Sequence, residues 1–112
     1  MTGLQEMIFI SEIVLQSKIA QRAAERLKAT HENFDRIEVW CSIQSILVAA
    51  GNVSKILWPN PRHKVRGESL RHILNVANSN LLSDRRFRNH FEHYDERIED
   101  WLNNQSSAVY TE

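Results

Sequence analysis

Read from its N-terminus, the chain alternates apolar and polar residues with a helical period rather than a strand period. From Leu4 to Leu27, Phe9, Ile13, Ala20, Ala24 and Leu27 recur at helical spacing, with Glu12, Lys18, Arg22 and Arg26 on other faces. Ala20, Ala23 and Ala24 let a neighbouring helix approach closely. Thr30 or Asn33 is placed to cap a second helix. From Phe34 to Ala50 that helix carries two apolar stripes, Phe34/Ile37/Cys41/Val48 and Val39/Ile43/Ile46. A helix apolar nearly all round is buried, either centrally in a bundle or against a second subunit. Gly51-Asn52 predicts its end, with a short SKILW turn after Ser54 that Pro59 stops. The WPNPRHKVRG stretch then reads as a stiff basic loop carrying Arg62, His63, Lys64 and Arg66. Leu70, Ile73, Leu74 and Ala77 predict a third helix that Asn78-Ser79-Asn80 ends. Ser83 is placed to cap the last long helix, with Leu82 and Phe87 in hydrophobic-staple positions. There Phe87, Phe91, Tyr94, Ile98 and Trp101 form a stripe predicted to face the core. The expected fold is all-α, a bundle of four to five helices. Residues 1–104 form a single helical-bundle domain, and residues 105–112 form a polar, frayed tail.

Composition fits this reading. Only three Gly and two Pro occur among 112 residues, and 42% are apolar. A chain of this length buries a modest core, which makes a partner chain expected. The net charge is zero, so any anion site must be local rather than a property of the whole molecule. Cys41 has no second cysteine to pair with, and its neighbours Trp40 and Ile43 predict a buried thiol in a reducing compartment. No stretch reads as a membrane span, and Met7-Ile8-Phe9-Ile10 is too short for a signal peptide. A cytoplasmic protein with no membrane partner is expected.

Candidate chemistry concentrates in RRFRNHFEHYDERIEDW, Arg85 to Trp101. On a continuous helix, Arg88, Asn89, Glu92, His93 and Glu96 fall away from the aromatic stripe. Arg88 and His93 sit about 140° apart around the axis and roughly 7.5 Å apart along it. Asn89 and His93, four apart, share a ridge. Basic residues lead and acids follow, the reverse of what a helix macrodipole favours, which hints at another use. An Asp84–Arg88 pair is the plain alternative.

An Arg, a polar residue directly after it and a His five positions on, placed late in a small all-α chain, resemble the HEPN superfamily. The resemblance rests on Arg88-Asn89-His90-Phe91-Glu92-His93. HEPN domains are small helical bundles that commonly dimerise. Their catalytic members are metal-independent ribonucleases whose motifs face a shared cleft. The resemblance implies that Arg88 binds the scissile phosphate, His93 acts as general acid/base and Asn89 orients one or the other. It implies attack by a 2′-hydroxyl to give a cyclic phosphate, a homodimer, an RNA substrate and no cofactor. A toxin role, paired with a protein antitoxin or set in phage defence, also follows. Arg85, Arg86, Arg62, Lys64 and Arg66 are then candidates to track the RNA backbone; the alternative for the loop residues is a solvated turn. Some HEPN toxins carry a Tyr two places after the His that a nucleotidyltransferase antitoxin modifies. Here that position is Asp95, so control by that modification does not carry over. Many HEPN domains are non-catalytic, so a dimerisation or interaction module is the rival reading, and a simple structural bundle is a third.

Other chemistries are weaker. His90 and His93 lie three apart without a repeated Glu-x-x-His pattern on other helices, so no metal is expected. His90 and His72 read as half-packed boundary residues, and His31 and His63 as exposed ones. No phosphate-binding glycine loop and no nucleophile elbow occurs.

Overall fold

A computed structural model describes residues 2–84 and 93–111. Within them the chain is all-helical. The α-helices are α1 (Gly3–Ala29), α2 (Arg36–Leu57), α3 (Lys64–Ile73) and α4 (Tyr94–Thr111), with short 3-10 turns at Pro61–His63 and Leu81–Ser83.

α1 and α2 form the main hairpin. Thr2 and Gln5 close a capping box on α1: the Gln5 amide donates to Thr2 Oγ1 at 3.2 Å and the Thr2 amide to Gln5 Oε1 at 3.1 Å. On α1 the face that meets α2 is the one the sequence predicts. Ala23 of α1 and Ser42 and Ala49 of α2 are buried, small enough for close approach. Phe9, Ile13, Ala20, Ala24 and Leu27 are partly buried on the same side of α1. Glu38 grips Arg26 with both oxygens, at 2.6 and 2.9 Å. That carboxylate raises the Arg26 pKa above its ordinary value, first through the hydrogen bond and then through its charge.

Several boundaries differ from the predicted ones. Asp35, not Thr30 or Asn33, caps α2, accepting from the Ile37 and Glu38 amides at 3.0 and 3.2 Å. Thr30 instead closes α1, donating to the Leu27 carbonyl at 2.6 Å. Gly51 does not end α2, which absorbs the SKIL segment and stops only at Trp58, ahead of Pro59. Lys64 and Arg66 lie on α3 rather than in a loop. α3 ends at Ile73, four residues before Ala77, for a clear reason. Asn75 takes a left-handed φ of 55°. The Val76 amide then donates to the Arg71 carbonyl at 2.9 Å and the Asn75 amide to the His72 carbonyl at 3.2 Å. That pair of bonds is a Schellman stop, with Asn where Gly more often sits. Ser83 ends the Leu81–Ser83 turn, and α4 runs to Thr111 through the predicted tail. Phe87, of the predicted staple, lies outside the described residues.

The α1/α2/α3 junction holds the core: Val53, Leu57 and Leu70, with Phe9, Ile13, Leu74, Val76 and Leu82 against them. Polar ties join the same elements. Ser69 donates to Glu6 at 3.2 Å, Asn52 to Gln16 at 3.2 Å, and Ser54 to the Leu82 carbonyl. α2, extended through Gly51, is the one described helix long and apolar enough to cross a membrane by length and composition, with a mean hydropathy of 1.2. In the fold it is the central helix.

Where α2 ends, α3 approaches very closely. A Cβ on Gly67 would stand 2.5 Å from Pro59 Cδ and 2.7 Å from the Leu57 carbonyl oxygen, whereas one on Gly51 would meet nothing within 4 Å. Alanine gains about 1 kcal/mol over glycine inside a helix. At Gly51 that gain is unopposed, so Gly51→Ala should stabilise by about 0.5–1 kcal/mol. At Gly67 neither a proline ring nor a backbone carbonyl yields easily, and overpacking costs about 1–3 kcal/mol or more. Gly67→Ala should therefore lower the urea midpoint while Gly51→Ala raises it; a rise for both would show that the junction is loose.

Candidate functional site

Of the predicted catalytic trio, His93 is described; Arg88 and Asn89 lie outside the described residues, as do Arg85, Arg86, His90 and Glu92. His93 stands immediately before α4, and its carbonyl accepts from the Arg97 amide at 3.1 Å to start the helix. Its Nδ1 lies 3.1 Å from Glu96 Oε2, and both side chains are more than half exposed. So exposed a pair adds little stability, because solvent screens it. The carboxylate stands on the Nδ1 side of the ring, so Nε2 is the nitrogen open to a substrate.

The start of α4 at Tyr94 also revises the charge argument. Asp95 and Glu96 fall in its first turn, where the macrodipole favours acids. Among the described residues the charge order is therefore the ordinary stabilising one. The aromatic stripe is revised as well. Tyr94 is 61% and Trp101 60% exposed, and Ile98 is exposed with them, so the described part of the stripe does not face the core. Phe87 and Phe91 lie outside the described residues.

The predicted basic track divides in three. Arg62 is exposed on the Pro61–His63 turn, whose start Asn60 caps by accepting from the Arg62 amide at 3.1 Å. Lys64 is exposed and pairs with Glu68 at 3.6 Å, one helical turn on. Arg66 turns inward: its guanidinium stacks 4.7 Å from the Phe9 ring centroid and donates to the Lys55 carbonyl at 3.3 Å. That side chain joins α3 to α1 and α2 and is taken up by the fold.

Two other expectations are corrected. Cys41 is exposed, because the Ile37/Cys41/Val48 stripe of α2 faces away from the core, as does Phe34 just ahead of the helix. His72 is exposed rather than half-packed, whereas His31 and His63 are exposed as predicted. The residue that sequence reading passes over is Arg71. It donates to the Leu57 carbonyl, an orphan acceptor at the end of α2, and stacks 5.5 Å from the Trp58 ring centroid. With Glu68, His72, Asn75 and Asn78 it rims a polar hollow at the end of α3. An Arg four positions after the close-approach Gly67 is the available signal, legible only once α2 is known to reach Leu57. Among the described residues no group of three or more His, Cys, Asp or Glu side chains is arranged to hold a metal ion.

No protein-family model, no curated protein and no solved structure matches the chain.

Proposed function

We propose that this chain is a HEPN-like, metal-independent endoribonuclease that acts as a homodimer, with Arg88, Asn89 and His93 at the cleft between two copies. The observation that carries the reading is the Arg88-Asn89-x-x-x-His93 motif ending on an exposed histidine whose Nδ1 lies beside Glu96. The all-helical chain and its size support it. In this mechanism Arg88 forks across the phosphate oxygens and stabilises the charge that develops on them. His93 Nε2 takes the proton of the ribose 2′-hydroxyl as its oxygen bonds to phosphorus. The 5′-oxygen leaves as that P–O bond breaks, receiving a proton from the second copy's histidine, and a 2′,3′-cyclic phosphate remains. Arg62 and Lys64, with Arg85 and Arg86, follow the backbone of the RNA. The protein works in the cytoplasm, as the toxin of a pair whose antitoxin is a protein or as part of a phage-defence system.

A second reading has an observation of its own. Arg66 is engaged in the fold, and extensive apolar surface is exposed on α1, α2 and α4, as suits a non-catalytic dimerisation or interaction module. Expression of Arg88→Ala separates the two. Wild type should inhibit growth and Arg88→Ala should relieve it; equal inhibition by both, or none by either, favours the module.

A further inference from the structure

The helix that begins at His93 fixes what stands next to it. The His93 carbonyl accepts from the Arg97 amide at 3.1 Å, so the hydrogen-bond ladder of α4 starts there. Residues four apart on a helix are neighbours on one ridge. His93, Arg97 and Trp101 therefore form a row, with Arg97 about 6 Å and Trp101 about 12 Å beyond His93 along the axis. At 100° per residue Asn104 falls within about 20° of Arg97, and Tyr94 lies about 60° to one side, next to Trp101. All five side chains are exposed.

The other residues of α4 sort around this row. Asp95 and Glu99 lie about 160° from Arg97, on the far side of the helix. Glu96 is about 100° away and stands beside His93 Nδ1. Asp100, about 60° off, is the one described acid at the edge of the row. The aliphatic residues turn away too: Ile98 and Leu102 lie about 100° and 140° from Arg97. Among the described residues no ion pair takes up the Arg97 guanidinium. What shares the side of His93 is a guanidinium, an amide and two aromatic rings.

That set of groups suits a strand of unpaired nucleotides. A guanidinium forks across phosphate oxygens. An exposed aromatic ring stacks on a base, and every base has a π-face to offer. A duplex presents the same phosphates but keeps its bases stacked on one another.

We infer that the His93–Arg97–Trp101 row holds single-stranded RNA beside the site, Arg97 on a phosphate next to the scissile one and Trp101 stacked on a base beyond it. The inference deepens the proposed function and rests on it for the scissile phosphate at His93. It makes unpaired nucleotides on that side of the cut a requirement of the substrate.

A strand with 2′-O-methyl riboses has no hydroxyl to attack, so it reads binding apart from cleavage. Fluorescence anisotropy with such a uridine oligomer, about ten nucleotides long, tests the row on the full chain, with circular dichroism confirming that each variant stays helical. Wild type should bind the strand, and Trp101→Leu should bind it about tenfold more weakly. Arg97→Gln should also weaken binding and should lower the slope of log affinity against log salt by about 0.7, the share of one phosphate contact on a single strand. Ile98→Ala, on the same helix but off the row, should leave the affinity unchanged. Annealing the complementary strand should remove most of the binding. No binding by wild type overturns the inference. So do equal affinities for wild type and Trp101→Leu, an equal loss at Ile98→Ala, or a duplex bound as tightly as the strand. A chain that binds through Arg97 and Trp101 and cleaves no RNA keeps the row and loses the enzymatic reading. One that cleaves RNA and binds equally well without either side chain keeps the enzyme and loses the row.

Discussion

Leu70→Ala should unfold a large share of the molecules at room temperature. Leu70 is fully buried where α1, α2, α3 and the Leu81–Ser83 turn meet. Among the described residues the other buried apolar side chains are Ala23, Ala49, Val53 and Leu57, so Leu70 is the keystone of a small core. Truncating a leucine in such a place costs about 2–5 kcal/mol, from lost transfer energy and from the cavity left behind. A folded domain holds only about 5–15 kcal/mol in total, and a core this small belongs near the lower end. Leu81→Ala is the matched control, because Leu81 is 84% exposed and its loss should cost less than about 0.5 kcal/mol. Urea titration followed by circular dichroism reads both. Equal midpoints for the two variants would show that Leu70 does not hold the junction.

His93→Ala should lower RNA cleavage by about 10²- to 10⁴-fold, the usual loss when a general acid or base is removed. Glu96→Gln should cost far less, about tenfold at most. The amide keeps the size and polarity of the carboxylate beside Nδ1, and an exposed ion pair is weak. The ratio of the two losses is informative. A large loss at His93 with a small one at Glu96 marks proton transfer by the imidazole, steered by its neighbour. Equal small losses would mean that the imidazole only positions RNA.

How legible the sequence is depends on which interactions settle each point. The helical period of α1 and its inner face at Phe9, Ile13, Ala20 and Leu27 follow from local pattern, and so does the all-α class. The end of α2 does not. Gly51 is a weak local stop, overridden because Val53, Ser54 and Leu57, beyond it, are buried against the rest of the fold. The end of α3 turns on one left-handed asparagine, Asn75, which no period reveals. Arg66 looks like a surface cation in the string and becomes a stacking partner of Phe9 only in three dimensions. The apolar stripes of α2 and α4 were legible as stripes, but pattern cannot say what a stripe faces. On α2 one faces the core and the other is exposed, as the described part of the α4 stripe is. For the candidate site, the motif is a property of the sequence alone, whereas the Glu96 contact depends on where α4 begins.

The most direct test of the ribonuclease reading is cleavage of single-stranded RNA in EDTA by wild type and His93→Ala, prepared side by side. Wild type should cut without added metal and leave cyclic-phosphate ends, and His93→Ala should be slower by at least about a hundredfold. Equal cleavage by the two proteins, or none by either, would contradict it.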